Sequence, residues 1–271
     1  MEILALLLTL GGFPGEAVAV NIPAEPELQR VTLEWNKRKV EMISADAGWY
    51  ALIGIDLNVE PGAHQAQAVY RYAGGRSETR SVAVNVTTKD YPTTRLEVAP
   101  KYVGLSEENQ ARAAEDRKKI NAAYATTRSE PYWSEPFQVP IPGVAGGRNF
   151  GHRRVFNDQP RAPHSGADLT AATGTEILST NRGKVILTGD FFFNGKAVFV
   201  DHGMGVLSMY LHLSEISVEE GQIVERGELV GLAGATGRVT GPHLHWGIKV
   251  TGARVDPFSL PGVADSPDET Q

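Results

Sequence analysis

The chain has 271 residues, with 26 Lys and Arg against 32 Asp and Glu, a formal charge of −6, 29 Gly, 16 Pro and no Cys. That length holds one large or two modest domains with ample chain for hydrophobic cores. The lack of Cys excludes a disulfide scaffold, a thiolate nucleophile and a Cys-ligated zinc or iron–sulfur site, and the acidic balance argues against a nucleic-acid partner.

In chain order, Ile3 to Leu10 is an apolar run too short to span a bilayer, and no other segment approaches that length. It has the length of the apolar region of a signal peptide, with Ala17-Val18-Ala19 or Gly11-Gly12 near a cleavage point. Glu2 stands where a basic residue is expected, and a first buried strand is the alternative reading. Residues 1–14 are thus expected to be a signal remnant of an exported protein.

From about Gly15 to Val98, β-branched and alternating runs are separated by short turns, as in Val31–Trp35, Trp49–Ile55 and Ala66–Tyr72. The last of these meets Ala73-Gly74-Gly75-Arg76 and then Ser81–Val86, which predicts a β-hairpin. Residues 15–99 are expected to form a small Ig-like β-sandwich without the Cys pair.

A long helix is predicted from Ser106 to about Thr126, with Ser106 as N-cap and Glu107 and Glu108 in the first turn. Ala111, Ala114, Ile120 and Tyr124 supply its apolar stripe, and it reads as a spacer. Pro131, Pro136, Pro140 and Pro142 punctuate an extended connector, so that residues 100–142 join two domains.

From Gly143 onward, 20 of the 29 Gly fall in 129 residues, and short apolar strands alternate with Gly turns. The repeated V-x-x-G unit from Val218 to Gly231 reads as tight corners where Gly supplies positive φ. A Gly-rich β domain is expected over 143–262, followed by a tail over 263–271.

Four of the seven His fall in three tight groups of this region: His164-Ser165-Gly166-Ala167-Asp168, Tyr210-Leu211-His212-Leu213 and Gly241-Pro242-His243-Leu244-His245-Trp246. In a strand, residues i and i+2 share a face, so His243 and His245 project together. Two adjacent imidazoles have a chemical use when one binds a metal and the other handles a proton near it. His164 and Asp168 share a face in an extended segment, and Pro163 and Gly166 disfavour a helix there. Two neutral imidazoles and a carboxylate match a catalytic zinc site that keeps its fourth position for water. His212, on an alternating strand, would be a second imidazole outside the ligand set. His64 and His152 read as structural, His202 as a turn residue beside the site, and Arg153 and Arg154 as surface residues. One of the two, with Arg153 preferred, could hold a substrate carboxylate.

These motifs, with Phe150-Gly151, Asp201-His202-Gly203 and Thr236-Gly237 through Gly247, resemble the LytM/lysostaphin-type zinc metallopeptidases over about Phe150 to Pro257. The β domain and helix before them resemble the exported Gram-negative type. The resemblance implies that His164, Asp168 and His245 bind Zn²⁺ and that His212 and His243 are catalytic, with no motif position substituted. It implies a two-layer antiparallel β structure with a groove over the metal. Its further implications are a periplasmic monomer acting on peptidoglycan peptide stems, at D-alanyl–diaminopimelate bonds, with autoinhibition by the N-terminal half as one regulatory option. The alternatives are a non-catalytic cell-wall-binding or amidase-regulating protein of this fold, or a non-haem iron oxygenase.

Overall fold

A computed structural model describes residues 9–45, 47–97, 106–125, 128–144, 147, 149–160, 162–261 and 263. Of the run read as a leader, residues 3–8 therefore lie outside the described residues, as do 264–271 of the tail. Thr9–Gly12 forms strand β1, whose Leu10 is buried.

The N-terminal half continues with β2 (Ala17–Pro23), β3 (Leu28–Trp35), β4 (Arg38–Glu41), β5 (Ile43–Ala45), β6 (Gly48–Gly54), β7 (Gly62–Tyr72) and β8 (Ser77–Val86). Two sheets, ordered β1-β8-β7-β3-β4 and β2-β6-β5, face each other as a sandwich. The alternating side chains meet between them: Val31, Leu33, Ile53, Ala66, Ala68 and Val84 are all fully buried. The expected hairpin is present, with β7 and β8 paired from Gly62↔Val86 to Arg71↔Ser77 around Ala73–Gly75. Gly74 and Gly75 take φ of 75° and 86°, which L side chains resist.

A strap follows. Strand β9 (Thr93–Leu96) leaves the sandwich, and helix α1 (Glu107–Tyr124) comes next. Ser106 caps α1 by accepting from the Asn109 amide at 3.3 Å. The buried stripe of α1 is rotated from the expected one. Ala113 and Ala123 are buried, Ile120 and Tyr124 pack inward, and Ala111 and Ala114 are exposed. Asp116 turns toward the protein because its carboxylate accepts the Phe192 amide at 2.7 Å. Ala leaves little apolar area in water, so exposing two of them costs little.

The C-terminal half runs through β10 (Arg153–Phe156), β11 (Gln159–Pro160), β12 (Gly166–Thr170), β13 (Glu176–Leu178), β14 (Gly183–Phe191), β15 (Gly195–Gly203) and β16 (Val206–Leu213). It closes with β17 (Glu215–Ile216), β18 (Ile223–Val224), β19 (Leu229–Leu232), β20 (His243–Val250) and β21 (Ala253–Val255). The main sheet is ordered β12-β20-β16-β15-β14-β18, with β21 also on β20, and β13-β19-β17 forms a second layer. Between the layers lie Leu169, Ile177, Tyr210, Val230, Leu244, Trp246 and Ile248, with Phe137 supplied by the proline-rich connector. Part of the opposite face of the main sheet, around Phe191, Phe199 and Met209, is covered by α1, where Tyr124 meets Phe199 edge-on. So α1 is a packed element of this domain, not a free spacer.

The two halves are docked. The Asp56 carboxylate grips Arg254 of β21 through Nη2 at 2.8 Å, Nε at 3.2 Å and the backbone amide at 2.9 Å. β9 pairs in parallel with β10, and the Asp256 amide donates to Gly15 O at 2.7 Å.

Candidate metal centre

Strand β20 supplies the floor of the site. Leu244, Trp246, Ile248 and Val250 are fully buried on one face, which leaves His243, His245, Gly247 and Lys249 on the other. β12 runs antiparallel beside it with Asp168 opposite His245, and directly opposed residues share a face. His164 stands just before β12.

Three donors meet there. His164 Nε2 lies 3.0 Å from Asp168 Oδ1 and 3.1 Å from His245 Nδ1, and His245 Nδ1 lies 2.8 Å from the same Asp168 oxygen. Around one tetrahedral ion at ~2.0–2.1 Å, donors stand ~3.3 Å apart, so a small shift outward seats a divalent metal. Among the described residues, only these three His, Asp and Glu side chains form such a group. The sequence-stated ligand set is thus brought together.

Three of the four rings are oriented by carbonyls. His164 Nδ1–H donates to Asn149 O at 3.0 Å, His243 Nδ1–H to Gly241 O at 2.9 Å and His212 Nδ1–H to Thr236 O at 3.0 Å. All three therefore keep an Nε2 lone pair for the cavity. Gly166 leaves room for His245, since a Cβ there would lie 2.6 Å from His245 Nε2.

The electrostatics suit a cation. Burial alone would raise the Asp168 carboxyl, but hydrogen bonds from His164 and His245 outweigh it and hold the group well below the usual carboxylate range. Burial pushes the His245 imidazole down, and it pushes His212 down to about 4. Neutral rings facing a fixed carboxylate are the state a metal requires.

His212 reaches this face by breaking alternation. Tyr210 and Leu213 enter the core, whereas Leu211 lies opposite His245. A strict period of two would bury His212 beside Tyr210. Its φ of +67° and the bulge against β15 turn it outward instead, 5.0 Å from the His243 ring and 6.0 Å from that of His245. Its amide is held by Asn194 O at 2.9 Å.

One contributor was not foreseen from the sequence. Asn149 donates through Nδ2 to Asp168 Oδ2 at 3.0 Å and accepts the Asp168 amide at 3.0 Å. Its only sequence signal was its place just ahead of Phe150-Gly151. His202 is not in a turn beside the site. It is fully buried in β15, with Nδ1–H donating to Arg182 O at 2.9 Å and Nε2 2.8 Å from Ser208 Oγ. Arg153 is exposed on β10 and makes no hydrogen bond or ion pair with the cluster. His64 sits beside Trp35 in the sandwich, and His152 holds the loop through its carbonyl, which accepts the His164 amide at 2.9 Å.

Residues 162–257 match the model of peptidase family M23. Peptidoglycan DD-endopeptidase ShyA of Vibrio cholerae is 43% identical over 109 residues, which cover 40% of this chain and 25% of that protein. DD-carboxypeptidase/endopeptidase Mpg of Neisseria meningitidis is 39% identical over 108 residues, 40% of this chain and 24% of Mpg. The chain thus spans about a quarter of the length of these curated relatives. A crystal structure from Pseudomonas aeruginosa, assigned to peptidase M23, superposes over 93% of this chain and 96% of its own, with 31% identity and a TM-score of 0.69.

Proposed function

The chain belongs to peptidase family M23, and we propose that it is an exported, periplasmic zinc endopeptidase hydrolysing peptide cross-links of peptidoglycan. The observation that carries this reading is the convergence of His164 Nε2, Asp168 Oδ1 and His245 Nδ1, with two further imidazoles on the same face. Relatives named as peptidoglycan DD-endopeptidases support the substrate class, and the DD designation supports a D-alanyl–diaminopimelate bond.

His164, Asp168 and His245 would hold the ion. A zinc ion held by these three residues would supply Lewis-acid polarisation of the scissile carbonyl and a water whose pKa is lowered to ~7. His243 Nε2, whose lone pair is exposed by the Nδ1–H bond to Gly241 O, takes the proton of the attacking water and delivers it to the leaving amine. His212, neutral because burial depresses its pKa to about 4, stands across the same space and offers its Nε2 lone pair to a proton of the attacking water, which it orients. Asn149 keeps the Asp168 carboxylate aimed at the donors.

The test is mass spectrometry of muropeptides released from purified sacculi, together with metal content. The wild-type protein should release un-cross-linked stems and carry about one zinc. His245→Ala should lose both metal and activity, whereas His243→Ala should keep the metal and lose most turnover. A metal-loaded wild-type protein that releases nothing would leave a wall-binding or amidase-regulating protein instead. A fully active His243→Ala would remove His243 from its role.

A further inference from the structure

His164, the first of the three donors, hangs on one short segment. Its amide donates to His152 O at 2.9 Å, its carbonyl accepts the Gly151 amide at 2.9 Å, and its Nδ1–H donates to Asn149 O at 3.0 Å. Its backbone on both sides and its ring are thus gripped by residues 149–152. The same segment holds Asp168 through Asn149.

The support of 149–152 comes from the strap that leaves the sandwich. β10 follows directly, and β11, β10 and β9 form a sheet of their own, apart from the main sheet. The β10–β11 hairpin has two residue pairs, too few to be stable in water by itself. β9 adds four more, from Thr93↔Arg153 to Leu96↔Phe156, and Pro92 O accepts the Arg153 amide at 2.8 Å. Side chains reinforce this ladder. Thr94 Oγ1 lies 2.8 Å from His152 Nε2. The Tyr91 ring fills the space where a Cβ on Gly151 would stand, and it meets the Phe150 ring edge-on at 6.1 Å. The Tyr91 hydroxyl donates to Pro14 O, in the turn that leads into β2, which anchors the ring on the sandwich.

We propose that Tyr91 and Thr94 are positioning residues of the metal site, fixing residues 149–152 and through them His164 and Asp168. Donors must be held to within ~0.5 Å to bind a metal well, and their supporting contacts supply that precision. A surface segment with few contacts sits instead at the low end of local stability. Docking of the strap therefore tightens metal binding, and the N-terminal half supports the site in this way. The inference rests on the metallopeptidase reading, with His164 as a ligand, and metal affinity separates the two.

The experiment is zinc competition with a chromophoric chelator on the full-length protein, beside the Tm of the metal-free form. Thr94→Val keeps the β-branched shape and removes the hydroxyl, and Tyr91→Ala removes the ring. Each should weaken zinc binding by ~3- to 10-fold, less than the ~10- to 100-fold usual for a group that touches a ligand directly. Thr94→Ser should restore the wild-type affinity. Val84→Ala, in the sandwich core, is the reference for plain destabilisation: its Tm should fall while its zinc affinity stays. Thr94→Val keeps the test open if Tyr91→Ala folds poorly. Unchanged or tighter zinc binding in Thr94→Val, or an equal loss in Val84→Ala, would overturn the positioning role. Weakened zinc binding in the strap variants, with no release from sacculi by the wild type, would keep that role and refute the endopeptidase reading. Cleavage by the wild type with unchanged zinc affinity in Thr94→Val would do the reverse.

Discussion

Asn149 holds Asp168 from two sides, donating to its outer carboxylate oxygen and accepting from its backbone amide, each at 3.0 Å. The same residue's carbonyl takes the Nδ1–H of His164 at 3.0 Å. A single loop residue thereby sets the rotamer of one donor and the tautomer of another.

Removing that clamp should loosen the donors without unfolding the sheet. Asn149→Ala is expected to weaken zinc binding by roughly 10- to 100-fold, the usual effect of losing a group that orients a metal ligand. Competition with a chromophoric chelator measures it. Unchanged affinity would mean that the strand pairing alone aims Asp168.

Gly166 is the second steric requirement of the site. A Cβ there would stand 2.6 Å from His245 Nε2 and 2.5 Å from Trp246 O. Gly166→Ala should therefore displace the His245 ring and cut metal occupancy sharply, with circular dichroism still showing β structure. Full occupancy in this variant would show that the ring has room to move aside.

His202 should make stability depend on pH. It is fully buried, and burial pushes its pKa down to about 4, against ~6.5 in an unfolded chain. Above pH ~6.5 both states are neutral at this ring and it adds no pH dependence. Between ~6.5 and 4 the unfolded chain binds a proton that the folded protein does not, so stability falls as the pH falls, by up to a few kcal/mol from this group. Tm should drop more steeply over that range in the wild type than in His202→Gln. Parallel profiles would assign the acid sensitivity to other groups.

The fork between Asp56 and Arg254 joins the two halves, with the carboxylate only 15% exposed. Its carboxyl is held below the usual range because Arg254 and backbone amides outweigh the burial that would raise it. Asp56→Ala leaves the Arg254 guanidinium without its partner and should cost about 2 kcal/mol, read as a lower Tm and faster proteolysis between the halves. An unchanged Tm would show that the docking rests on its apolar contacts.

Much of this was legible before any coordinates. The β7–β8 hairpin follows from two alternating runs around Gly74 and Gly75, and α1 follows from its Ser106 cap. The shared face of His243 and His245 follows from a period of two, which is a property of the backbone itself. The grouping of His164, Asp168 and His245 was marked by the coincidence of three motifs rather than by any one of them.

Other features depended on which strands became neighbours. His212 faces the cluster because a positive φ and a bulge cancel the alternation that its sequence context implies. Asn149 meets Asp168 across 19 positions of chain. His202 lies in the core, not in a turn, because Ser208 and Arg182 O satisfy both of its nitrogens there. Sequence periodicity records which way a side chain points along its own strand. Strand order, register and bulges then determine what it meets, and those are set by burying the apolar faces of the whole chain at once.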